Sequence, residues 1–133
     1  MEWKGEFSVG IPEIDKDHQV LTKCVTGIEN AVTKGERGDK VDAAIERFLF
    51  CIRVHFSGEE HLMRRLQYPH LDAHTKEHQD VLAYVRAIES STLDAPVSAE
   101  TLEFLRNSLE KHFMSDEKDY GVFVLSRSVR HRT

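Results

Sequence analysis

The chain of 133 residues is long enough for one compact domain with a core of its own. Charged residues make up 31% and hydrophobic ones 40%, and no run approaches the roughly 18 consecutive apolar residues of a membrane span, which argues against a membrane protein. The formal charge of -5, from 18 basic and 23 acidic residues, argues against a nucleic-acid surface, because phosphate binding needs clustered Lys and Arg, and Arg127, Arg130 and Arg132 read as part of a solvated tail.

Residues 1–12, with Gly10 and Pro12, are expected to form an extended arm whose Trp3, Phe7, Val9 and Ile11 lie across the rest of the chain. The N-terminal stretch has no basic segment leading into an apolar one, so a secretory signal is not expected and the cytoplasm is the expected compartment. Four segments then repeat apolar residues at alternating steps of three and four, the spacing of helices that pack at shallow angles. The first, 13–34, carries the seam Ile14, His18, Leu21, Val25, Ile28, Val32, and the second, 40–66, carries Val41, Ile45, Phe48, Ile52, His55, Glu59, Leu62, Leu66. The third, 70–90, reads Leu71, His74, His78, Val81, Val85, Ile88, and the fourth, 98–119, reads Leu102, Leu105, Leu109, His112, Asp116, with Tyr120 just beyond and a tail over 120–133.

Breakers separate the segments at Gly35 to Gly38, at Tyr68-Pro69 and at Ser90 to Ser98. Connections this short favour antiparallel neighbours, so the expected fold is all-α: an up-down-up-down antiparallel four-helix bundle with an extended N-terminal arm, one domain over 1–133. Cys24 and Cys51 fall inside helical patterns without a Cys-x-x-Cys spacing and are expected as buried, reduced thiols, not as a disulfide or a zinc site.

The seams contain histidines and carboxylates where packing alone would ask for Leu, Ile or Val. Burying a polar group without a partner costs several kcal/mol, against a total stability of roughly 5 to 15 kcal/mol, so these groups must satisfy one another or a metal. Residues four apart on a helix are offset by about 40 degrees and roughly 6 Å, so His55 with Glu59, and His74 with His78, can each converge on one point. His18 and His112 add an imidazole from each of the other two helices. A lone histidine on an apolar face is usually an ordinary core residue, but this set spread over four helices is most economically satisfied by metal. His61, His70 and His131 lie off the seams and are expected in solvent.

At this point the chain resembles the hemerythrin family, in its bacterial form, over almost its whole length. The stretch Val9-Gly10-Ile11-Pro12-Glu13-Ile14-Asp15-Lys16-Asp17-His18-Gln19-Val20-Leu21 is similar to the family's first helix. His55-Phe56-Ser57-Gly58-Glu59-Glu60 resembles its His-Phe-x-x-Glu-Glu motif, and His74-Thr75-Lys76-Glu77-His78 its His-x-x-x-His. The last motif departs from the family's His-Ile-x-x-x-Asp-x-x-Tyr, reading His112-Phe113-Met114-Ser115-Asp116-Glu117-Lys118-Asp119-Tyr120. Alignment puts Glu117 in the slot of the second bridging carboxylate. Helical register instead favours Asp116, because Glu117 is rotated about 140 degrees from His112 on an unbroken helix. The family's tryptophan ahead of this motif is not found in its usual form, which implies a more open pocket.

The resemblance implies two iron ions per chain, joined by an oxo or hydroxo bridge, with His74, His78 and His112 on one iron and His18 and His55 on the other. Glu59 and Glu117 would bridge, and one coordination position would stay open for O2. Nitrogen-rich ligation with bridging carboxylates suits iron better than calcium, magnesium or tetrahedral structural zinc. Phe56, Leu109 and Phe113 are the expected apolar lining of the ligand pocket. The implied function is reversible dioxygen binding for storage or delivery, without catalysis, by a monomer that supplies oxygen-consuming enzymes. An O2 or redox sensor, or a di-iron enzyme such as an oxidase, a nitric oxide reductase or an iron-repair protein, are the alternatives; a sensor would call for an output domain for which 133 residues leave no room.

Overall fold

The computed structural model describes residues 1–35, 39–91 and 97–132, and within its helices not the side chains of 39, 90, 91, 116 and 128–132. Its elements are a 3-10 turn at Gly5–Phe7 followed by α1 (Pro12–Thr33), α2 (Asp39–Leu66), α3 (Leu71–Ser91), α4 (Ala99–Met114) and α5 (Asp116–Arg132). α1 packs on α2, α2 on α3, and α4 against both α1 and α3, which closes a four-helix bundle whose fourth member is divided at Ser115. The expected connections at 36–38 and 92–96 lie outside the described residues.

Local chemistry sets the helix ends. Pro12 stands in the first turn of α1, where its missing N–H costs nothing. The Asp15 carboxylate accepts the Val9 N–H at 2.9 Å and the Ser8 hydroxyl at 2.5 Å, which ties the arm to the helix start. α2 ends with Gln67 at φ 59, its N–H bonded to Arg64 O at 3.2 Å and the Tyr68 N–H to Met63 O at 2.9 Å, the paired bonds of a Schellman stop. Ser98 caps α4 by accepting the Thr101 N–H at 3.1 Å.

The apolar seams bury as two clusters. The larger includes Leu21, Val25, Ile28, Ile45, Phe48, Ile52, Phe56, Leu105, Leu109 and Phe113. A smaller one joins Met63, Tyr68 and Tyr120, with Ile14, Leu62, Leu71, Phe123 and Val124 packed against it. Along every helix the polar seam residues fall between the two: His18 between Ile14 and Leu21, Glu59 between Phe56 and Met63, His74 between Leu71 and Val81, and Glu117 between Phe113 and Tyr120. The polar layer is therefore closed by hydrocarbon above and below.

The arm lies across the bundle. Phe7 and Val9 are buried, and Trp3 meets Phe7 and Phe113 edge-on at 5.5 and 5.8 Å between ring centroids. The N-terminal ammonium pairs with Glu29 on α1, and Glu29 also takes Arg106 of α4.

The tail expected over 120–133 is instead part of α5, which runs to Arg132. Tyr120 is fully buried, and Phe123 sits edge-on to Tyr68 at 4.9 Å. Phe123 and Val124 thus have partners at the α2–α3 turn, which no periodicity within the segment reveals. The arm also crosses α5: a Cβ on Gly121 would lie 2.8 Å from the Val9 Cβ and 3.0 Å from the Val9 carbonyl oxygen. Gly121→Ala is expected to push the arm off α5 and cost about 1 to 3 kcal/mol, the usual range for overpacking; an unchanged denaturant midpoint would show that the arm yields freely.

Candidate metal centre

The seven residues expected to hold metal meet in the buried polar layer. Their relative exposures run from 0% for His18 and Glu117 to 8% for His55. All five imidazoles turn Nε2 inward. Glu59 Oε1 lies 3.2 Å from His78 Nε2 and 3.9 Å from His74 Nε2, while its Oε2 lies 3.2 Å from His55 Nε2 and 4.0 Å from His18 Nε2. Glu117 Oε1 lies 2.7 Å from His112 Nε2 and 3.4 Å from His74 Nε2, while its Oε2 lies 3.4 Å from His18 Nε2. Each carboxylate thus presents one oxygen to the His74, His78, His112 group and the other to the His18, His55 group. Each group with both carboxylates has ligand atoms within 4.8 Å of one another.

These spacings suit two octahedral ions. Ligand atoms about 2.1 Å from one ion stand about 3 Å apart when adjacent and about 4.2 Å when opposite. The atoms also lack other partners: both Glu59 oxygens, His78 Nε2, His112 Nε2 and Glu117 Oε2 are buried without a hydrogen bond. Buried polar atoms are seldom left so, and a pair of cations satisfies them together. The donor set fits two metal ions, five-donor on one side and four-donor on the other.

Glu117 reaches the layer because the fourth helix is interrupted. Ser115 (φ -113, ψ -74) stands between α4 and α5, its N–H and its hydroxyl both donating to the Lys111 carbonyl at 3.0 and 2.9 Å. One residue is spent at the break, so the fifth residue after His112 takes the face that the fourth would take on an unbroken helix. The register argument for Asp116 assumed continuity; the Asp116 side chain itself lies outside the described residues.

Three acids missing from the sequence reading steady the outer nitrogens. His55 Nδ1 faces Asp17 at 3.5 Å, His78 Nδ1 faces Glu60 at 3.3 Å, and His112 Nδ1 faces Glu77 at 3.4 Å. The pattern is a relay: an acid on α1 serves a histidine on α2, one on α2 serves α3, and one on α3 serves α4. Each acid adjoins an inward residue of its own helix, as in Asp17-His18, Glu59-Glu60 and Glu77-His78. That adjacency is the signal in the sequence, but the partner is on another helix and only the bundle supplies it.

Phe56 stacks on His78 at 3.7 Å and 4°, and Phe113 on His18 at 4.5 Å and 26°. Leu109 is buried and borders a separate apolar pocket with Phe48, Val81 and Phe104. A cleft of about 480 Å³ between α1 and α2 reaches the layer at His55, Glu59 and Tyr120, and a smaller one of about 240 Å³ borders His74. Phe56 and Phe113 brace imidazole planes and do not line either cleft. His61 and His70 are exposed; the His131 side chain is outside the described residues.

Burial, then repulsion from His18, lowers His55 to about 4, and burial, then His112 and His74, lowers His78 to about 3, so both stand neutral with a lone pair for metal. Burial and then Glu117 push Glu59 well above the usual carboxylate range. Burial opposes the charges on Glu117 and His112, yet their mutual attraction prevails, holding Glu117 well below its ordinary value and His112 up at about 10. Below their ordinary 6.5, His55 and His78 take protons in the unfolded chain but not in the folded one, while Glu59, protonated only when folded, offsets one of the two. Chelated protein is therefore expected to lose stability as pH falls from about 6.5 towards 4, read as a falling urea midpoint; a midpoint that rises over this window would refute it.

No helix among the described residues is long and apolar enough to cross a membrane. The Hemerythrin HHE cation binding domain matches residues 9–123. Myohemerythrin of Theromyzon tessulatum is 25% identical over 119 residues, covering 90% of this chain and 89% of its own. Bacteriohemerythrin of Clostridium acetobutylicum is 27% identical over 126 residues (89% and 96%), and that of Methylococcus capsulatus 26% over 127 residues (91% and 94%). With its motifs on four packed helices and the domain match spanning the arm to α5, the chain belongs to the hemerythrin family.

Proposed function

We propose that this protein binds dioxygen reversibly at a non-haem di-iron centre, as an oxygen store or carrier in the cytoplasm. The observation that carries the reading is the unequal division of buried donors around two shared carboxylates: three imidazoles on one side and two on the other. His74, His78 and His112 would hold one iron, His18 and His55 the second, and Glu59 and Glu117 would bridge. When bound, the iron pair would supply the two electrons that hold a small diatomic ligand such as dioxygen. The chain's part is to present His55 and His78 already neutral, to bring Glu59 and Glu117 to the cations, with His112 and Glu59 each giving up a proton as metal enters, and to exclude bulk water with the two apolar clusters.

Asp17, Glu60 and Glu77 fix which imidazole nitrogen carries the proton, leaving Nε2 as donor. Glu77→Gln is expected to weaken iron retention by about 10- to 100-fold in competition with a chelator, with the fold intact by circular dichroism. An unaltered competition curve would mean that the Glu77 contact orients nothing.

The deciding experiment is optical. Iron-loaded, reduced protein should hold close to two irons per chain, gain a charge-transfer band in air, and lose it again under argon. One iron per chain, or irreversible oxidation in a single step, would remove the carrier reading. The cleft of about 480 Å³ is the observation that favours a di-iron enzyme instead, because it admits more than a diatomic; turnover with a reductant and a small apolar substrate would support that alternative.

A further inference from the structure

We infer that Cys24 and Cys51 are a redox pair, which a peroxide closes into a disulfide joining α1 to α2 at the wall of the cleft. The two cysteines are free, 27 residues apart in sequence and on neighbouring helices, with their sulfurs 3.8 Å apart. Cys24 is buried, whereas Cys51 is half-buried and lines the cleft beside Leu21, Phe50 and Val54. An oxidant small enough to enter meets Cys51 first, with Cys24 directly behind it. To bond, the sulfurs must close from 3.8 Å to about 2.05 Å. Burial and the neighbouring Cys51 push the Cys24 thiol up to about 11, which keeps it protonated and leaves the first attack to Cys51; Cys24 acts second because it stands 3.8 Å from the oxidised sulfur.

The chemistry balances with hydrogen peroxide. The Cys51 sulfur attacks one peroxide oxygen, the O–O bond breaks, the other oxygen leaves as water with the thiol proton, and Cys51 becomes a sulfenic acid. The Cys24 sulfur then attacks Cys51 Sγ; the S–O bond breaks, the S–S bond forms, and hydroxide leaves as water with the Cys24 proton. Two thiols lose two electrons and two protons, and one peroxide becomes two waters. A dithiol reductant restores the pair by exchange. Because Cys51 lies one turn before His55, the crosslink clamps the two helices beside the centre. The inference needs no metal and stands apart from the dioxygen reading.

The test exposes the purified full chain to stoichiometric hydrogen peroxide, quenches with catalase, then denatures and alkylates it. Both thiols should vanish together, the chain should lose the mass of two hydrogen atoms, and a proteolytic map should join the Cys24 and Cys51 peptides of one chain. In Cys24→Ser, Cys51 should be trapped as sulfenic acid by dimedone at least about 10-fold faster than Cys24 is in Cys51→Ser; Cys24→Ala serves if the serine variant fails to keep its helicity. Two alkylatable thiols, a disulfide between chains, over-oxidised Cys51 beside free Cys24, or equal trapping of the two cysteines would each overturn the proposal.

Discussion

Glu117→Gln is expected to abolish stoichiometric iron binding, lowering affinity by more than the roughly 10- to 100-fold that loss of an outer partner costs. Glu117 is fully buried, with one oxygen 2.7 Å from His112 and the other 3.4 Å from His18. An amide keeps the shape and removes the charge, and two dications gathered among neutral imidazoles need that charge. Iron per chain after gel filtration is the measurement. Asp116→Asn, made in parallel, should keep its iron. Should Asp116→Asn lose iron while Glu117→Gln keeps it, the bridging role would pass to Asp116 and the account of the break at Ser115 would be wrong.

His78→Ala should cost both iron and stability. The imidazole is 1% exposed, lies flat on Phe56 at 3.7 Å, and separates Glu59 from Glu60 with contacts of 3.2 and 3.3 Å. Its removal empties a buried ring-sized space, which costs about 3 to 5 kcal/mol for aromatic truncations, and leaves Glu59 with one fewer partner. In loaded protein the loss is larger, because the free energy of metal binding is also folding free energy. Thermal melts of loaded and chelated protein separate the two contributions. A variant that melts like the parent in both states and retains two irons would remove His78 from the centre.

How much of this was legible beforehand follows from what each feature depends on. The four helices come from periodicity and breakers within single segments, and the inward histidines from their places in those periods, so the bundle and the cluster of imidazoles could be read without coordinates. Glu117 shows the first limit. A period presumes an unbroken helix, and the chain departs from helical geometry at Ser115, between α4 and α5, so the register that favoured Asp116 does not carry through to the face that Glu117 occupies. The span after Tyr120 shows the second, since Phe123 and Val124 gain partners from residues some fifty positions earlier and so form helix where solvent was expected.

The sequence by itself determined the fold class, the family and the kinds of donor that face the core, because those rest on local spacing and side-chain chemistry. The tertiary structure alone decided which oxygen of each glutamate faces which histidines, which acid steadies the imidazole of the next helix, and where the cleft opens. Those are relations between helices, and an angular error of one residue, about 100 degrees on a helix, suffices to reverse them.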